Sequence, residues 1–168
     1  MNCPNCGAPL HLNPDRDFYQ CDYCQGYTFP DKNEDGVRVF DETSDLACPL
    51  CSVPLFHAAT SGWRLHYCKQ CHGMLIRMAF FPDLIEELRA QLPAPTGIPR
   101  PTDRAELDRR ISCPQCHAPM DAHFYGGGGN VILESCSACY LNWLDQSELL
   151  RIIHATSSQR PFDDDSAT

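Results

Sequence analysis

The sequence has no long apolar run, no basic block and no cysteine outside a C-x-x-C pair. No stretch approaches the roughly 18–20 apolar residues that a membrane-spanning helix requires, so we expect no membrane association. The 13 lysine and arginine residues face 22 aspartate and glutamate residues, which gives a formal net charge of −9. Because affinity for nucleic acids depends largely on basic side chains that neutralise phosphates, this composition disfavours direct nucleic-acid binding.

Common catalytic motifs are also missing. The sequence contains no convincing serine–histidine–aspartate set, no glycine-rich phosphate loop and no paired carboxylates suited to acid–base catalysis. The densest basic stretch, residues 100–110, alternates arginines with acidic residues, a pattern typical of a solvated helix face. We therefore expect a protein without enzymatic activity.

The first residues, Met1-Asn2-Cys3, have neither the basic stretch nor the apolar segment of a secretory signal peptide. This start predicts a reducing compartment, the cytoplasm, where cysteines remain thiols or bind metal. A disulfide scaffold is the alternative interpretation of so many cysteines, and the expected compartment disfavours it.

The 12 cysteines form six C-x-x-C pairs, which divide in chain order into three units of two pairs each. Two such pairs separated by a short hairpin supply the four thiolates of a tetrahedral zinc site. We predict three structural Zn²⁺ ions, although the same ligands would also accept iron. The predicted ligands are Cys3, Cys6, Cys21 and Cys24 in unit one, Cys48, Cys51, Cys68 and Cys71 in unit two, and Cys113, Cys116, Cys136 and Cys139 in unit three.

An internal repeat supports this consecutive pairing, which also minimises loop closure. In each unit, proline follows the first cysteine and presets the backbone of a tight turn; these residues are Pro4, Pro49 and Pro114. Glycines near the other end of the turns predict positive φ angles; they are Gly7, Gly26 and Gly73. A cross-braced arrangement, with the first and third pairs around one metal, is the alternative. Under consecutive pairing, Cys48→Ser should weaken only the site of unit two.

The predicted fold is a small metal-stabilised α+β protein of three tandem zinc ribbons, because units this short need metal to supplement their cores. Apolar residues on one face after Pro82 predict a helix in unit two, and the capping pair Asp145 and Glu148 predicts one in unit three. The proline-rich linker predicts that unit three moves apart from the others. The boundaries are ribbon one at 1–29, an acidic connector at 30–47, ribbon two with its helix at 48–92, the linker at 93–112, ribbon three with its helix at 113–156 and a disordered acidic tail at 157–168.

Trp143 and the histidines are further candidate functional residues. We expect Trp143 to pack on its knuckle and cover the metal, with an exposed partner contact as the alternative. Histidines are not needed as ligands beside four cysteines, but His72 and His117 directly follow ligand cysteines and are expected to donate to a sulfur. The histidines are His11, His57, His66, His72, His117, His123 and His154.

Unit three carries a recognisable phrase in which the second cysteine pair leads into Trp143-Leu144-Asp145 and then Glu148-Leu149. This phrase resembles the small bacterial zinc-ribbon family named after the zinc finger of transcription factor IIB, in which it opens a helix. Unit two has a weaker version, with Leu75-Ile76 in place of Trp143-Leu144, and unit one resembles zinc ribbons in general. The resemblance implies a zinc-ribbon fold and a link to transcription, but the fold alone does not specify a task.

The leading functional expectation is an adapter that docks on a protein or nucleoprotein partner. Ribbon edges and the apolar face of the 82–92 helix are the expected contact surfaces, together with Trp63, Phe80 and Phe81. Direct nucleic-acid binding in transcription or translation is the first alternative. A rubredoxin-like iron protein with a redox role is the second.

Overall fold

The computed structural model describes residues 1–13, 17–92, 101–126 and 130–155. In this part of the chain, unit one forms a small antiparallel sheet in the order β1-β2-β3. Its strands are β1 (His11–Leu12), β2 (Tyr19–Gln20) and β3 (Tyr27–Thr28). The predicted tail and the first part of the predicted linker lie outside the described residues.

Units two and three form one seven-stranded antiparallel sheet, in the order β4-β5-β6-β7-β10-β9-β8. The strands are β4 (Arg38–Ala47), β5 (Pro54–Thr60), β6 (Trp63–Tyr67), β7 (Met74–Arg77), β8 (Asp121–Phe124), β9 (Ile132–Cys136) and β10 (Leu141–Leu144). A 3₁₀ helix (Met78–Phe80) leads into α1 (Phe81–Ala90), followed by α2 (Ala105–Asp108) and α3 (Glu148–His154). The predicted α+β class is confirmed. No helix in the described ranges is long and apolar enough to cross a membrane.

The two units meet where β7 pairs with β10, with Leu75 opposite Trp143. Each of these residues stands four positions after the last cysteine of its unit, Cys71 or Cys139. Equivalent residues therefore face each other across an approximate two-fold axis. The expectation that unit three moves apart is wrong, because each unit alone would leave an unpaired strand edge that the other unit covers.

Helices α1 and α3 pack together on one face of this shared sheet. Four residues of α1 are buried, namely Phe81, Leu84, Ile85 and Leu88, and they share a core cluster with Leu149, Ile152 and Ile153 of α3. The Arg89 guanidinium donates to the Ile152 carbonyl at 2.8 Å. The expectation that the apolar face of α1 docks a partner is therefore wrong, since an amphipathic face gives the same pattern when it is buried inside the protein.

Unit one packs on β4, which occupies most of the predicted acidic connector. The Tyr19 hydroxyl donates to Glu42 Oε2 at 2.8 Å and accepts the Asp41 N–H at 2.7 Å. The ring of Tyr19 also meets Phe40 edge-on, with centroids 5.4 Å apart. These contacts join the small sheet to the large one.

Candidate metal centres

The structure brings each predicted set of four cysteines together, with all four sulfurs within 4.8 Å of one another. The closest sulfur pairs between knuckles lie 3.5–3.6 Å apart. Four sulfurs around one zinc ion at about 2.3 Å would be about 3.8 Å apart, so the clusters have the size of a tetrahedral site. The grouping follows the consecutive order rather than the cross-braced alternative. Within the described residues, no histidine or carboxylate joins these clusters.

Each site is built from two tight backbone turns. At Cys48, the cysteine N–H donates to the Val53 carbonyl at 2.8 Å, and the Ser52 N–H donates to the Cys48 carbonyl at 2.9 Å. The same two bonds occur in the turns that start at Cys3, Cys21, Cys68 and Cys113. The residue directly after the second cysteine has a positive φ in all six turns; these residues are Gly7, Gln25, Ser52, His72, His117 and Tyr140.

Two of the three predicted positive-φ glycines have a different role. Gly7 directly follows the second cysteine of its turn and has a φ of 75°. Gly26 and Gly73 lie two positions after the second cysteine of their turns and do not have a positive φ. A Cβ on Gly26 would lie 3.3 Å from the Cys24 sulfur, and one on Gly73 would lie 2.2 Å from Cζ2 of Trp143. Gly73 is therefore required for space rather than for backbone freedom, whereas a methyl group at Gly26 would only crowd the Cys24 sulfur.

Burial and backbone amides act on the thiols in opposite directions. In every pair the first cysteine is buried and the second lies nearer to solvent. Burial raises the pKa of Cys48 to about 11. The Gly26 N–H and the Asn5 side chain lower the pKa of Cys24 to about 6, and the Ala118 N–H lowers the pKa of Cys116 to about 7. Four thiolates this close repel one another, so all four thiols of a site can ionise only when a cation lies between them. The donor sets therefore fit a divalent metal bound by thiolates.

The sites of units two and three share one apolar cluster on the sheet face opposite the helices. It contains cysteines of both sites together with Leu75, Ile111, Met120 and Trp143. Trp143 is fully buried, and its indole N–H donates to Asp145 Oδ1 at 3.0 Å. The expected burial of Trp143 among the cysteines is therefore confirmed, and the exposed alternative is wrong.

An ion-pair network beside the third site was missed by the sequence analysis. Arg109 Nε donates to Glu134 Oε1 at 2.9 Å, and Nη1 donates to Asp145 Oδ2 at 2.5 Å. Glu134 is completely buried, and this burial raises its pKa. The expectation of a solvated helix face over 100–110 is wrong at Arg109. The available signal was a lone carboxylate within the apolar strand Ile132–Cys136.

Replacing Arg109 with alanine should destabilise the protein, because it leaves the buried Glu134 carboxylate without its cation. We expect a loss of about 2–3 kcal/mol in the free energy of unfolding, as for a buried polar group that loses its partner. Arg110→Ala is the matched control, since Arg110 is exposed. Urea unfolding of both variants measures the difference, and equal midpoints would show that the network does not stabilise the fold.

His72 contacts a carboxylate rather than a sulfur in the described part of the chain. Its Nδ1 lies 3.5 Å from Asp35 Oδ2, and the same oxygen accepts the Tyr67 hydroxyl at 2.7 Å. Asp35 is buried, so the contact ties the loop before β4 to the second knuckle of unit two. His117 is exposed.

Comparison of the chain with protein-family models, with curated proteins and with solved structures gives no match. The likeness of unit three to the ribbon family named after transcription factor IIB therefore rests on its residues alone. The interpretation of the three sites rests on their geometry and donor chemistry.

Proposed function

We propose that this chain is a non-enzymatic adapter, stabilised by three zinc ions, that docks on a protein partner. The observation that carries the proposal is that every site offers a complete set of four sulfurs. A tetrahedral ion bound by four cysteines has no position left for water or substrate, whereas catalytic zinc keeps one open. The sites therefore favour a structural role.

Zinc is the proposed metal, and a reducing cytoplasm is the proposed location. Closed four-cysteine sites built from paired knuckles are typical of structural zinc, and thiolate ligands persist only where disulfides do not form. A rubredoxin-like iron protein would share the ligand set. Purified protein without a visible absorption band would favour zinc, whereas a red protein would favour iron.

Charge supports a protein partner over a nucleic acid. A divalent ion with four thiolates leaves a net charge of −2 at each site, in addition to the formal −9 of the chain. Such a protein repels phosphates at low salt. The proposed partner is therefore a protein, either alone or as part of a nucleoprotein assembly. The family resemblance points to a partner in transcription.

Direct nucleic-acid binding is the second candidate, because two aromatic side chains of unit one, Tyr27 and Phe29, are 66% and 41% exposed. Exposed rings of this kind can stack on bases. The acidity described above makes this the weaker proposal.

Affinity capture of the tagged, metal-loaded protein from its native cells, with and without nuclease, tests the proposal. We expect the same partner proteins to remain bound after nuclease treatment, and to be absent when the bait has been stripped of metal. Recovery of nucleic acid, with loss of every partner protein after nuclease, would contradict the adapter role and support the second candidate.

A further inference from the structure

Three aromatic rings of unit one are in mutual contact; Tyr27 and Phe29 are exposed, and Phe18 is half-buried. The centroid of Phe18 lies 5.4 Å from that of Tyr27 and 5.6 Å from that of Phe29, and the Tyr27 and Phe29 centroids are 5.9 Å apart. Tyr19, the next residue after Phe18, is buried against Phe40 on the opposite side, as strand alternation requires. We call Phe18, Tyr27 and Phe29 the aromatic face.

The surroundings of the aromatic face are acidic. Residues 1–29 contain three aspartates and one arginine, and the side chain of Asp22 is 74% exposed. Asp31 and Lys32, two and three positions after Phe29, are also exposed and offset each other in charge, so the acidity comes from residues 1–29. A divalent ion bound to the four thiolates of unit one would add a further net charge of −2. A nucleic acid stacked on these rings would bring its phosphates close to like charges, whereas a cationic partner would be attracted.

The chain itself already places a guanidinium on this face. Arg38 Cζ lies 5.2 Å from the centroid of the Phe29 ring, within the range of a cation–π interaction. Its Nη1 also donates to the Pro30 carbonyl, which holds the group in position. Tyr27 is 66% exposed and leaves room for a second cation.

We infer that the aromatic face binds arginine side chains of a cationic segment in a protein partner. The inference rests on the proposed adapter function and specifies its contact surface and the chemistry of its partner. Arginine is favoured over lysine because a planar guanidinium stacks on aromatic rings. The acidic groups and the anionic metal centre of unit one supply the attraction, and the rings supply the selectivity.

Fluorescence anisotropy with labelled probes tests the inference on the full, metal-loaded chain. The probes are a peptide of alternating arginine and glycine, the corresponding lysine peptide, and oligothymidylate. We expect the arginine peptide to bind most tightly and Tyr27→Ala to weaken it about fivefold, as loss of one cation–π contact predicts. Phe124→Ala is the matched control, because Phe124 is 53% exposed in β8 of unit three; it should leave the affinity unchanged.

Equal affinity of the wild type and Tyr27→Ala for the arginine peptide would overturn the inference, as would tighter binding of oligothymidylate. Nuclease-treated capture with Tyr27→Ala separates this failure from failure of the adapter role. If Tyr27→Ala still captures the partner proteins, the adapter proposal is retained and the aromatic face is rejected as its contact surface. If neither bait captures protein, the adapter proposal fails and the inference fails with it.

Discussion

Replacing Cys48 with serine is expected to unfold both unit two and unit three, and to release metal from both sites. From the sequence alone, this variant should affect only its own site. In the structure, however, Cys48 belongs to the apolar cluster that also contains Cys113 and Cys136 of the third site. Structural zinc contributes about 10–16 kcal/mol of apparent binding free energy, which matches or exceeds the roughly 5–15 kcal/mol stability of a whole domain. Loss of one site therefore removes enough stability to unfold the shared sheet.

Cys3→Ser provides the matched control for this variant. Cys3 occupies the equivalent position in unit one, and its cluster includes only Phe40 and Ala59 from the large sheet. We expect Cys3→Ser to lose one metal ion and to leave the main thermal transition, followed by circular dichroism, close to that of the wild type. Mass spectrometry under native conditions counts the retained ions. If Cys48→Ser keeps the metal of unit three and the main transition, units two and three do not share a cooperative core.

Gly73→Ala is expected to destabilise the protein by about 3 kcal/mol or more, as a strong case of overpacking. A Cβ at this position would lie 2.2 Å from Cζ2 and 2.8 Å from Cη2 of Trp143, far inside van der Waals contact. The indole has little room to move, because Trp143 is fully buried and its N–H is bonded to Asp145. The added methyl therefore forces apart the two strands that join units two and three.

Two further variants isolate this effect in urea unfolding. Gly126→Ala adds the same atom where nothing lies within 4 Å, so we expect little change in stability. Trp143→Phe in the Gly73→Ala background removes part of the clash, and it should cost less than Trp143→Phe does in the wild type, because contacting residues are not additive. Additive losses would mean that Gly73 and Trp143 are not in contact.

The features that the sequence predicts best are local ones. The cysteine groups follow from short spacings that a hairpin can close. The pair Asp145 and Glu148 predicts a helix from Asp145, but α3 begins at Glu148 because Ser147 before it is left-handed and its side chain makes no capping hydrogen bond. There, Glu148 accepts the Asp145 N–H at 2.7 Å. The helix after Pro82 follows from its apolar period, and its observed range is Phe81–Ala90.

The features that the sequence did not predict depend on contacts between distant parts of the chain. Nothing local to Leu75 or Trp143 indicates that their strands pair, and the prolines between the units favour the opposite interpretation. Gly73 resembles a turn glycine, although its neighbour His72 takes the positive φ. Arg109 lies among alternating charges, so its bond to a buried carboxylate becomes visible only when β9 is placed beside it. An apolar helix face likewise does not reveal whether it packs within the chain or against a partner.

The metal content of the natively purified chain tests the central claim most directly. Protein isolated from its own cells under reducing conditions, without added metal, would be weighed by native mass spectrometry and its metals identified by elemental analysis. We expect three zinc ions per chain and no disulfide bonds. A chain that carries disulfides in place of metal, fewer than three ions, or iron at these sites would contradict this claim.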